Sequence, residues 1–152
     1  MNQQFATAIE TIPELFRRLA SSDYFTAKGI ASQRGRAGVY AFFENDEAKH
    51  VGRTRNLGQR LRGHITRSHF SASCAFKQAR RELGRASTYT TKGSRAALVA
   101  EPEFRDCFHR HIESVRLMNV RFLEVTDPVQ QYLLELYAHM EYRLPLDEFD
   151  TH

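Results

Sequence analysis

Apolar positions along the chain set the first expectations. Between residues 4 and 20, Ile9, Ile12, Leu15, Phe16 and Leu19 recur at spacings of three and four, the period of an amphipathic helix. The pattern allows one or two helical pieces, with Thr11 and Pro13 able to start the second. Lys28–Arg36 mixes Gly, Ser and Arg and reads as a loop. The period then changes. Gly38-Val39-Tyr40-Ala41-Phe42-Phe43 is β-branched and aromatic, Glu44-Asn45-Asp46-Glu47 supplies turn residues, and Lys49-His50-Val51 returns. A hairpin is expected there.

After Gly52 the helical period resumes. Leu57, Leu61 and Ile65 form an apolar stripe, with Asn56 as cap and Gln59 three residues on to complete a capping box. Arg60 and His64, four apart, share a neighbouring stripe and project in one direction. A further helix is expected from Ala72 to Leu83, stopped by Gly84, and the Ser-, Thr-, Lys- and Arg-rich residues 85–100 read as a loop. Pro102 opens another helix to about Val115, and Val120–Val125 reads as a third strand. Asp127-Pro128 then joins a capping carboxylate to proline at the first helical position. That last helix should run to about Arg143 and turn Tyr132, Leu133, Leu136, Met140 and Leu144 inward.

No repeat, low-complexity tract or linker composition divides the chain, so residues 1–152 are expected to form a single α+β domain. Its sheet should be small, three-stranded and antiparallel, flanked by helices. Residues 1–35 form a helical extension and loop, 36–84 and 118–152 the core, and 85–117 an insertion with an added helix.

Composition excludes several classes. No apolar run approaches the ~20 residues of a membrane span. The opening Met1-Asn2-Gln3-Gln4-Phe5 lacks the basic-then-apolar order of a signal peptide. Cys74 and Cys107 fit neither a disulfide framework nor a four-ligand zinc site and read as buried hydrophobes. The expectation is a cytoplasmic protein without a membrane partner.

Charge changes the picture more. Residues 48–100 hold twelve Lys or Arg against one acid, Glu82, for a net +11, whereas the rest of the chain is −7. Arg outnumbers Lys eighteen to four over the whole chain. So one-sided a block suits a polyanion, and the planar guanidinium fork suits phosphate oxygens. Arg53, Arg55, Arg62, Arg67, Arg80 and Arg81 are the candidate nucleic-acid contacts.

Phosphodiester cleavage needs a group to activate water, a cation for the developing phosphorane charge, and commonly a metal. Tyr40 on one strand and His50 on the next can supply the first, and Arg60 the second. This set still lacks a carboxylate for a metal. At this point the order of residues resembles a known family. Gly38-Val39-Tyr40, nine residues, then His50-Val51-Gly52 is similar to the paired triplets of the GIY-YIG nucleases. Arg60, eight residues past Gly52, and His64, four later, resemble the family's next motif. The likeness covers about 38–84 and 118–152.

The resemblance implies a metal-dependent endonuclease acting on DNA, with RNA as the other nucleic-acid candidate. It implies a metal-binding glutamate on the helix after the third strand, where this chain has Glu135. One carboxylate suffices for Mg²⁺ or Mn²⁺ where phosphate oxygens and waters complete the octahedron. By resemblance, Tyr40 is the general base or a phenol that positions water, and His50 stands where the second tyrosine would be. Arg60 clamps the phosphate, and His64 contacts it or assists proton transfer. Alanine at Glu135 or Arg60 is then expected to abolish cleavage and largely spare folding. Two departures, His50 for a phenol and Asp147 where the family often carries asparagine, support a rival reading: a catalytically impaired nucleic-acid-binding module of the same fold. Targeting would come from residues 1–35, residues 85–116 or a partner protein.

Overall fold

The computed structural model describes residues 1–26, 29, 34–86 and 90–147. In chain order it forms helix α1 (Gln3–Ser21), strands β1 (Phe25–Thr26), β2 (Gly38–Glu44) and β3 (Glu47–Thr54), and helices α2 (Leu57–His64) and α3 (Ser73–Glu82). A 3-10 turn at Thr91–Gly93 precedes α4 (Arg95–Ala100) and α5 (Pro102–Leu117), then strand β4 (Asn119–Glu124) and α6 (Pro128–Glu141). The α+β class is as expected, but the sheet has four antiparallel strands in the order β1-β4-β2-β3. The fourth is β1, two residues pairing Phe25 with Val120 and Thr26 with Asn119. Two residues cannot show an alternating pattern, so the sequence gives no sign of that strand.

β2 is central, and residues 38–43 are all buried. A strand covered on both faces needs a near-continuous apolar run, which Gly38–Phe43 is. Tyr40 and Phe42 point into a core built with α2, α3, α4 and α5; Val39, Ala41 and Phe43 point into one built with α1 and α6. The sheet is therefore a middle layer between two helical layers. The Asn45-Asp46 turn has φ of 51° and 61°, the mirror-turn geometry that suits the twist of a two-residue hairpin.

Helix signals were mostly accurate. Asn56 caps α2 by accepting from Gln59 N at 3.2 Å, but the expected capping box is only half formed, because Asn56 N donates to Thr54 Oγ1 at 3.0 Å rather than to the Gln59 side chain. Asp127 caps α6 by accepting from Gln130 N at 3.0 Å, and Gly84 ends α3's trailing turn at φ 63°. Residues 3–21 form one helix with Pro13 inside it, not two pieces. The expected loop at 85–100 contains α4, capped by Ser94 and buried through Leu98; the polar composition hid a one-residue anchor. Residues 87–89, and most of the expected loop at 28–36, lie outside the described residues.

The inward face of α6 is corrected in part: Leu133 and Leu144 pack against the core as expected, but the other three residues do not. Gln131, Leu134, Ala138 and His139 are buried, while Tyr132, Leu136 and Met140 are exposed. The helix packs on α1 and along β3, the strand at the sheet's edge. It therefore turns polar residues to that edge rather than its most apolar stripe.

Candidate active site

A cleft of about 240 Å³ opens at the β3 edge, where the two helical layers approach each other. Tyr40, His50, Gly52 and Arg53 come from the hairpin, Arg60 from α2, Ser73 and Lys77 from α3, and Glu135 and His139 from α6. The register explains the hairpin's share. Tyr40 pairs with Gly52 and Phe42 with His50, so Tyr40 and His50 face one side, their rings 6.0 Å apart. A β-carbon on Gly52 would stand 2.4 Å from the Tyr40 hydroxyl oxygen. Glycine at 52 is what lets the phenol lie across β3.

The Tyr40 hydroxyl is the hub. Arg60 Nε donates to it at 3.0 Å, and His64 Nε2 lies 2.7 Å away on the other side. The four-residue spacing of Arg60 and His64 on α2 brings both to the same oxygen. Arg60 also donates through Nη1 to the Ser71 carbonyl at 3.1 Å and through Nη2 to Ser73 Oγ at 2.7 Å. It thus ties β2, the segment between α2 and α3, and the start of α3 together.

Burial sets the protonation states. Tyr40 is fully buried, and desolvation pushes its pKa up to about 12 although Arg60 pulls the other way, so the phenol carries its proton at neutral pH. His64, also fully buried, is held well below the usual imidazole value by desolvation and then by Arg60, so it is neutral. Among the described residues its Nδ1 has no hydrogen-bond partner. Glu135 is raised by desolvation against the opposing charge of Arg53. Arg53 Nε stands 3.1 Å from Glu135 Oε2 as an ion pair, not as an aligned hydrogen bond. The Arg53 guanidinium also lies 3.6 Å over the Tyr132 ring.

The cleft therefore brings together Tyr40, His50, Arg60 and Glu135, with His64 directly behind the phenol. Of the expected nucleic-acid contacts, Arg53 lines the cleft and Arg55 a neighbouring groove that shares Arg60. Arg80 and Arg81 line a second recess of about 300 Å³ that shares Lys77 with the cleft. Asp147 lies there, beside Arg80, and not with Glu135. Arg62 and Arg67 are exposed and are not among the residues lining the cleft. Sequence reasoning missed Ser73, Lys77, Arg95 and His139 as cleft residues, and Phe70 too. Only the helical spacing of His139 from Glu135 could have signalled one of them.

A separate cluster joins α3 to α5. Glu82, Cys107 and His111 hold their ligand-type atoms within 4.8 Å of one another. Glu82 spends both oxygens on His111 Nε2 at 2.6 Å and Arg110 Nη2 at 3.2 Å, and the cluster is not part of the cleft lining.

No protein-family model, curated protein or solved structure matches the chain. Among the described residues, no helix is long and apolar enough to cross a membrane.

Proposed function

We propose that the cleft hydrolyses phosphodiester bonds in nucleic acid, DNA first, in the manner of the GIY-YIG nucleases. The observation that carries the reading is the convergence on one cleft of Tyr40, Arg60 and Glu135, from the hairpin, α2 and α6, within a basic lining. The hairpin and the helix that follows it supply the phenol and the cation, and α6, distant in the chain, supplies the carboxylate that this chemistry needs.

The donor set suits a hard divalent cation. Glu135 offers carboxylate oxygen, mostly shielded from solvent, and its contact with Arg53 is an ion pair that a cation and a phosphate can exchange. Mg²⁺ or Mn²⁺ held through Glu135 would supply charge neutralisation at the phosphate oxygens. Arg60, already oriented by Ser71 and Ser73, would bind a phosphate oxygen as negative charge develops. Water would attack phosphorus and give its proton to the Tyr40 oxygen, as the phenol's own proton passes to His64 Nε2 across 2.7 Å. The new P–O bond forms as the bond to the leaving sugar oxygen breaks, and that oxygen takes a proton from solvent water. A bound phosphate anion beside Arg60 would offset the positive charge that otherwise opposes protonation of His64.

Supercoiled plasmid and flapped or branched oligonucleotides, incubated with Mn²⁺ or with chelator, test this. Cleavage that appears only with the metal supports it. Binding with no metal-dependent cleavage on any substrate would instead favour the rival, a binding module of the same fold, for which the imidazole of His50 in place of a phenol is the specific motive.

A further inference from the structure

Phe70 lies on the rim of the cleft and is 76% exposed. Single exposed apolar side chains are ordinary, and exposure alone says little. The backbone on either side of Phe70 is not ordinary. Arg95 donates to the His69 carbonyl and Arg60 to the Ser71 carbonyl, so two cleft arginines hold the residues flanking this ring. Ser71 N and Ala72 N both donate to the Ser68 carbonyl at 3.1 and 2.9 Å, closing the turn around it. The His69 imidazole packs against the ring with centroids 4.0 Å apart. An aromatic ring is thus presented to solvent from a fixed turn, beside the cations that line the cleft.

The cleft has a second exposed aromatic nearby. Tyr132 is 58% exposed and carries the guanidinium of the cleft residue Arg53 on its ring. Arg60, Lys77 and Arg95 line the same cleft as Phe70 and Arg53. Exposed aromatic rings interleaved with cations are the components of a single-strand binding track, where bases stack and phosphates pair.

We propose that Phe70 is the stacking platform for an unpaired nucleobase adjoining the phosphate in the cleft. The substrate class is then nucleic acid with a single-stranded segment at the cleavage point, not a continuous duplex. In a duplex both faces of each base are covered by its neighbours, so only an unpaired or splayed base offers a free face. The inference rests on the nucleic-acid reading above.

The chain contains no tryptophan, so Phe70→Trp introduces a single fluorescent reporter at the platform. The reporter protein is titrated in chelator with a single-stranded DNA oligonucleotide and with the blunt duplex of the same sequence, while anisotropy of the labelled DNA reads binding independently. The expected result is strong tryptophan quenching by the single strand and little by the duplex. Phe70→Ala, read by anisotropy, should lower the single-strand to duplex affinity ratio about 5- to 150-fold, the range of one lost stack. Equal quenching by both DNAs, or tight binding with no quenching and an unchanged ratio in Phe70→Ala, overturns the platform and leaves the nucleic-acid reading standing. No binding of either DNA overturns both.

Discussion

Arg60→Lys isolates the geometry of the site, because it keeps the charge and removes the planar fork. Arg60 makes three hydrogen bonds, to the Tyr40 hydroxyl, the Ser71 carbonyl and Ser73 Oγ. A lysine ammonium on a flexible stem reaches one of these partners at a time. Two charge-assisted hydrogen bonds are then lost, each worth roughly 1.5–3 kcal/mol when buried. Arg60 is only partly buried, so half to two thirds of that remains, about 1.5–4 kcal/mol in all. For a chain of this size the loss lowers Tm by roughly 3–16 °C. Urea denaturation followed by far-ultraviolet circular dichroism reads the change, with Arg62→Lys as control on the same helix. Arg62 is exposed, and its variant should move stability by less than about 0.5 kcal/mol. Cleavage by Arg60→Lys should fall about 10²–10³-fold, as when one oriented donor to a developing anion is removed. An Arg60→Lys protein that unfolds at the same urea concentration as the Arg62→Lys control would refute the account of Arg60 as the tie between three elements. The sequence alone led to the expectation that substituting Arg60 largely spares folding, and its bonds to Ser71 and Ser73 argue otherwise.

Gly52→Ala should lose roughly 1–3 kcal/mol of stability and most cleavage, because its β-carbon displaces the Tyr40 hydroxyl from Arg60 and His64; unchanged thermal melting would contradict this. Glu135→Gln removes the cost of desolvating a carboxylate while losing the Arg53 pair, so its melting temperature should stay within about 3 °C of wild type by calorimetry. His64 has a folded-state pKa below its unfolded value, so the unfolded chain binds the extra proton. Stability is therefore complete above pH ~6.5 and falls as pH drops, by about 1.4 kcal/mol per unit from this group until its folded-state pKa is reached. Urea midpoints of wild type and His64→Gln between pH 5 and 7 should differ by that slope; parallel curves would remove the buried neutral imidazole from the account.

The parts of the fold that were legible in the sequence are those where local chemistry and tertiary packing agree. Asn45-Asp46 adopts the positive φ that its residue types tolerate, and Asn56 and Asp127 cap the helices they precede. Tyr40, Arg60 and His64 meet because strand register and helical spacing are short-range geometry. The α6 face was misread because apolar count favoured Tyr132, Leu136 and Met140, whereas the position of α6 along the β3 edge buries Gln131 and His139 and partly buries Glu135. Strand β1 and helix α4 were invisible for want of length: two paired residues in one, a single fully buried leucine in the other. Phe70, Ser73, Lys77 and Arg95 reach the cleft only through the packing of α3 and α4, which no local pattern encodes.

Glu135, Tyr40 and Arg60 are proposed to form one metal-dependent hydrolytic site. Its most direct test is DNA cleavage by wild type and Glu135→Gln in Mn²⁺, each measured at a protein concentration that saturates the same labelled flapped substrate. Metal-dependent strand scission by wild type is expected, and its loss, by at least about 10²-fold, in Glu135→Gln at equal DNA occupancy. Equal cleavage by the two proteins, or cleavage by wild type that persists in chelator, would contradict it.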